Sequence, residues 1–280
     1  MIYDHGYAFD NNAVKGFTKG SMPARQRIRY HQQMERIRIT HQRGMRSNLK
    51  RIFRAQEDAI LSLDEITMND VADILIRSVP AFDKVYEVTY AGIADDVYPM
   101  LVSDADAKAQ REIWATKGRE EETAYGVAIR EWIRRECGEK IVAINQTTLD
   151  QVKRIYESTA NQIEFREAIA HLFDDSITPY RSNAIARTET ACATNRASVE
   201  TMDALGFEGR KTWLAVGDQD TRDTHMHVDG MTVDFDGYFE WDRPDGIHVK
   251  MECPLDGTWA PPASEVVNCR CDVGSSCDLL

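Results

Sequence analysis

The sequence predicts a mainly α N-terminal body followed by a small α+β C-terminal domain, a long helix with short antiparallel strands. Three observations carry this expectation. Apolar residues recur at three- and four-residue steps through residues 23–205, the spacing of one helix face. Beyond Gly206 the texture changes to aromatics, short alternating runs and Asp-Gly pairs at Asp229-Gly230, Asp236-Gly237, Asp245-Gly246 and Asp256-Gly257, all signals of β structure with tight turns. The 280 residues, 42% of them apolar and 9% aromatic, supply enough hydrophobic surface for two ordinary cores.

Residues 23–61 read as helix, with Pro23 near the start and Ile28, Met34, Ile37, Met45, Leu49, Ile52, Phe53 and Ile60 on the apolar spacing. Unbroken, it would reach roughly 58 Å at 1.5 Å per residue. Gly44 is a point where it can split, so a projecting arm and a packed hairpin both stay open. Residues 64–161 read as several helices: Pro80 ends one, Pro99 interrupts another, and Thr148 is an expected N-cap. Thr178 and Pro179 form a cap and first-turn pair for a helix running to Leu205, with Gly206 as its left-handed stop. Its Ala184, Ala191, Ser198, Met202 and Leu205 share one face. Strands are expected at 210–216, 231–235, 247–252 and 267–273. The resulting division is a basic helical arm at 1–62, a helical body at 63–175 and an α+β domain at 176–280.

Charge is unevenly spread. The chain carries a net −12, yet residues 1–60 hold 12 Lys/Arg against 5 Asp/Glu. The remainder is strongly acidic and repels nucleic acid, so contact with DNA or an acidic partner falls to Arg25, Arg27, Arg29, Arg36, Arg38, Arg43, Arg46, Lys50, Arg51 and Arg54. The other reading of these residues is a solvated face packed on the acidic body. The first twenty residues lack the apolar stretch and cleavage site of a secretory leader, and no window approaches the ~20 apolar residues of a bilayer span. A cytoplasmic chain with no membrane partner is expected.

The six cysteines are Cys137, Cys192, Cys253, Cys269, Cys271 and Cys277, and in a reducing compartment such a cluster suggests metal or packing before disulfides. Cys269 and Cys271 alternate across one residue, which on a strand points both sulfurs from the same face. With His225 and Cys253 they make a candidate tetrahedral zinc set, His227 and His248 being substitutes for either. A structural zinc would stabilise a small domain with a thin core, because its binding energy becomes folding energy. The plain alternative is a group of reduced, buried thiols.

Three stretches are distinctive together: Ile185 to Thr190, containing Arg187 and Glu189, with Asn195; Trp213 to His225, containing Asp220 and Arg222; and Asn268-Cys269-Arg270-Cys271. In order and spacing they resemble the Mu F-like minor head protein family, also called phage head morphogenesis proteins, over roughly residues 180–273. The resemblance implies a minor capsid component of the virion head, assembled in the host cytoplasm beside the portal protein, with the portal, major capsid or scaffolding protein as partners. It implies no enzymatic activity.

Read on their own, Asp220 is a candidate cap and Arg222 a fork bridging to Glu265 or Glu189, so that these residues, with Asn268 and Arg270, brace the fold. The alternative is a metal-dependent hydrolase, nuclease or cell-wall enzyme, built on Asp220, His225, Glu265 and His227. No HExxH, GxSxG or Walker loop accompanies it. Asp218, Asp220 and Asp229 have calcium-loop spacing, but Asp223 occupies the position where Gly is required, which rejects an EF-hand.

Overall fold

A computed structural model describes residues 24–101, 124–204 and 209–275. Pro23, Gly206 and Cys277, singled out above, lie outside them. The helices are α1 (Ala24–Leu61), α2 (Met68–Arg77), α3 (Val79–Leu101), α4 (Ala124–Ser158), α5 (Gln162–Leu172) and α6 (Ser182–Ala204). The remaining elements are β1 (Arg210–Leu214), α7 (Asp223–His227), β2 (Thr232–Asp234), β3 (Phe239–Asp242), β4 (His248–Met251), α8 (Ala263–Val266) and β5 (Asp272–Ser275). A mainly α region thus precedes a small region of a long helix and short antiparallel strands, as the sequence predicts.

α1 runs unbroken through Gly44 and packs along α3 and α6, its Met34, Met45, Leu49, Phe53 and Ile60 fully buried. It is a central member of the helical core. Close approach is built in at Gly92 of α3, where an added Cβ would stand 2.8 Å from the His41 ring of α1. α4 closes the other side of α3, stacking Trp132 on Tyr90 at 4.8 Å between ring centroids.

Several local expectations give way to tertiary context. Thr148 caps nothing. It lies inside α4, where its hydroxyl donates to the Ile144 carbonyl 3.1 Å away. Pro80 falls in the first turn of α3, where a missing N–H costs nothing, and α2 ends at Arg77. Thr178 and Pro179 start no helix either. They lie in a π-helical segment, Phe173–Arg181, that leads without a break into α6, the Ser182 N–H reaching back five residues to the Ile177 carbonyl. A widened turn accommodates a proline that has no N–H to give.

The strands form an antiparallel sheet in the order β2-β1-β5 and a separate β3-β4 hairpin. In the sheet Trp213 stands opposite Val273 and Lys211 opposite Val233. The expected strand at 267–273 is corrected to β5: residues 267–271 form a turn and an irregular segment, with Asn268 left-handed at φ 60°. β3 was not expected at all. Its Phe239 and Trp241 point inward beside Trp213, ring centroids 5.4 Å away in each case.

Helix α6 ties the two regions together through a buried amide. Asn195 donates from Nδ2 to the Cys271 carbonyl at 2.9 Å and accepts the Val273 N–H at 2.8 Å, occupying the open edge of β5 as another strand would. From α1, Arg38 reaches the same strand: its guanidinium bonds Asp272, whose side chain is fully buried, and donates to the Thr194 hydroxyl and the Arg270 carbonyl, each at 3.0 Å. His31 contacts the other Asp272 oxygen, and the Tyr30 hydroxyl donates to the Val273 carbonyl at 2.8 Å. Removing one partner of a buried, hydrogen-bonded ion pair leaves an uncompensated charge and typically costs about 3–5 kcal/mol. Urea denaturation should therefore show Asp272→Ala destabilised by that much, and Asn195→Ala by about 1–3 kcal/mol for each backbone group left unpaired. Arg36→Ala, on the exposed side of the same helix, should stay within about 0.5 kcal/mol of the parent.

Candidate metal centre and basic helix face

The segment that follows α8 sets the geometry of the cysteine cluster. Asn268 adopts a left-handed conformation that asparagine tolerates better than most residues, and its N–H donates to the Thr188 hydroxyl of α6 at 2.9 Å. That turn drives Cys269 inward, and Cys271 follows two residues later. Both sulfurs lie 3.4 Å from Nδ1 of His225, which α7 presents from the opposite side. All three residues are buried. A tetrahedral zinc with metal–sulfur bonds of ~2.3 Å and metal–nitrogen bonds of ~2.0–2.1 Å separates N and S by about 3.6 Å. Each sulfur already stands at nearly that distance from the nitrogen, and all three donor atoms lie within 4.8 Å of one another, so His225, Cys269 and Cys271 form a cluster suited to a metal such as structural zinc.

The surroundings favour a metal ligand set over three idle side chains. Burial pushes the Cys269 thiol up, but its hydrogen bonds with Cys271 and His225 pull it further the other way, well below the usual thiol range. Its hydrogen bond with Cys269, followed by burial, drives Cys271 well above that range. On the far edge of the imidazole, Nε2 lies 3.0 Å from a Glu265 oxygen. Arg243 and the Thr224 hydroxyl hold that carboxylate at 3.0 and 2.9 Å. A carboxylate behind a ligating histidine fixes the ring and raises its basicity. Trp213 and Trp241 box the ring in, both edge-to-face.

The other expected site residues fall elsewhere. Cys253 is corrected as the fourth ligand: it is buried outside the cluster, its thiol pushed well above the usual range first by burial and then by Asp256. His227 is exposed, and His248 is exposed with Nδ1 2.9 Å from Asp242. Glu265 is bridged by Arg243, while Arg222 donates to the Val267 carbonyl. Glu189 joins the helical region, accepting from the Tyr90 hydroxyl and from Lys140 at 3.0 Å. Asp218, unremarked in the sequence beyond its calcium-loop spacing, organises the loop before α7: one of its oxygens accepts from the Asp220 N–H, the Thr221 hydroxyl and Arg270. Asp220 itself caps no helix and stands 3.8 Å from Arg270. Arg187 is exposed and has no ion-pair partner among the described residues. Asp220, His225, Glu265 and His227 therefore do not converge on one point.

On α1, burial divides the expected phosphate contacts. Arg38 is buried on Asp272, Arg27 pairs with Asp229 and donates to the Ala215 carbonyl at 2.9 Å, and Arg54 faces Asp174 and Glu57. Arg25, Arg29, Arg36, Arg43, Arg46, Lys50 and Arg51 are exposed and lack an ion-pair partner among the described residues. At 3.6 residues per turn, Arg25, Arg29, Arg36, Arg43 and Lys50 fall within about 60° of arc over roughly 38 Å. The result is a straight basic stripe facing solvent.

Residues 153–274 match the family model described as phage Mu protein F like protein. The chain carries a Mu F-like domain. The Mu F-like match spans everything that builds the cysteine cluster and begins earlier than the α+β region, inside α4. Over 90 residues, 31% of the chain, the sequence is 37% identical to the NAD(+)--arginine ADP-ribosyltransferase EFV of Enterococcus faecalis (strain ATCC 700802 / V583), covering 17% of that protein. The transferase activity in that name is a statement about the relative, of which this chain spans about a sixth. No solved structure matches.

Purified full-length protein should carry one zinc per chain, read by elemental analysis against protein concentration. Cys269→Ser should lose it. Glu265→Gln should bind it roughly 10- to 100-fold more weakly, as loss of a ligand's supporting carboxylate does. Cys253→Ser should leave the stoichiometry unchanged; if it does not, Cys253 is a ligand after all.

Proposed function

We propose that this chain is a minor head protein of a tailed phage, non-catalytic, that docks on the portal or inner shell and turns the basic stripe of α1 toward packaged DNA. One observation carries the assembly reading: most of the motif residues of the Mu F-like domain act as internal braces. Asn195 holds β5, Glu189 holds α3 and α4, Glu265 supports His225, and the Asn268 turn seats the cysteines. A surface built this way holds a shape for a partner. Partners follow from the family: portal, major capsid or scaffolding protein. The metal, where bound, ties α7 to the segment before β5 and stiffens that shape.

The stripe supports the DNA contact. A row of cations with no ion-pair partner among the described residues, on an exposed helix, can neutralise phosphates and release their counterions, which gives affinity without sequence preference and a steep salt dependence. The expected experiment is fractionation of phage heads: the polypeptide should be present at low copy number and resist washing. Its absence from both particles and precursor shells would falsify the assembly reading. For DNA, deleting residues 1–60 is uninformative, because α1 is part of the core. Replacing Arg29, Arg36, Arg43 and Lys50 with Gln keeps the fold. It should reduce the slope of log affinity against log salt by about 3 to 4, near −0.9 per phosphate contact. An unchanged slope would remove DNA from the proposal and leave docking intact.

A further inference from the structure

A closed structural zinc uses four protein ligands, whereas sites that bind something else keep a position free. Among the described residues three donors converge, while Cys253 is buried outside the cluster and His227 and His248 are exposed. All three donors line a cleft that also touches Val216, Asp220, Arg222, Asn268 and Arg270, so the side of the cluster away from Glu265 faces a passage to solvent. Its free volume is about 10 Å³, close to the minimum for a single water.

The charges around the cleft indicate what does. Two thiolates neutralise a divalent metal, so a fourth ligand with a negative charge leaves the centre at about −1. At the mouth, Arg270 is engaged by Asp218 at 2.7 Å, with Asp220 at 3.8 Å. Arg222, by contrast, donates to the neutral Val267 carbonyl and has no carboxylate partner among the described residues. Its charge is free to offset an anion on the metal. Among the described residues Asp220 is the one carboxylate lining the cleft, but its oxygens lie outside the ligand cluster and its side chain is 77% exposed.

We propose that the metal held by His225, Cys269 and Cys271 keeps its fourth position for an exchangeable external ligand, a water molecule or a small anion, admitted through the cleft beside Arg222. This rests on the metal reading above and goes beyond it: the centre braces the fold and also has an addressable face. The site is selective by size, since the cleft admits a single small donor, and by charge, since Arg222 favours an anion.

The test uses the full-length chain loaded with cobalt(II) in place of zinc, followed by visible absorption during titration with azide. One cobalt per chain should show the intense bands of a tetrahedral dithiolate centre, and azide should shift them saturably. Arg222→Met should weaken azide binding several-fold with the azide-free spectrum unchanged, and Asp220→Ala should leave both intact. A cobalt spectrum blind to azide, or one altered by Asp220→Ala alone, overturns the open position and leaves the metal in place. A chain that takes up no cobalt overturns the metal reading together with this one.

Discussion

Everything in the C-terminal region depends on one buried carboxylate. Asp272 opens β5 with its side chain wholly shielded from water, and a carboxylate in that position is tolerable only if its charge is met and its oxygens are bonded. Arg38 and His31 of α1 do this from one side, and Asn195 fixes the backbone on either side of it. β5 in turn sets the register of β1, and Cys271 immediately precedes it. The cysteine cluster is thus held in place by a helix more than 200 residues away in sequence, through a pair whose partners are 234 positions apart.

This explains which features could be read beforehand. Helical periodicity located α1 to within a residue, and the apolar positions it marked are mostly core, because a 3.6-residue spacing is a direct imprint of burial on one side. It left Ile28 exposed at 56%. Asp-Gly pairs located the β region, and Asp245-Gly246 does turn β3 into β4 with Gly246 at φ 81°. Charge, in contrast, carries no record of its partner: Arg38 and Arg36 are indistinguishable as letters, yet one is buried in an ion pair and the other faces water. β3 is only Phe239–Asp242, too short for alternation to stand out. Thr148 and Thr178 look like caps because threonine favours them, but in both places neighbouring helices continue the chain through them.

For the site, His225, Cys269 and Cys271 were legible as chemistry, and their convergence was not. The argument from strand alternation reached the right pair for a reason the fold does not use: the two sulfurs meet through the left-handed turn at Asn268. Glu265 was assigned to Arg222, because sequence offers no view of Arg243 approaching from the β3-β4 turn. Cys253 was grouped with the others by proximity along the chain, which is a poor guide once a loop with left-handed Leu255 and Ala260 intervenes.

The interlock between α1 and β5 also orders events during synthesis. Arg38 of α1 is made 234 residues ahead of its partner Asp272, so a guanidinium destined for the interior exists well before the ribosome reaches that partner. Until that residue emerges, Arg38 has no counter-ion to bury against, and the apolar face of α1 has only part of its seat. The nascent chain is therefore expected to linger as an incompletely closed intermediate, with commitment to the native state deferred until β5 has emerged.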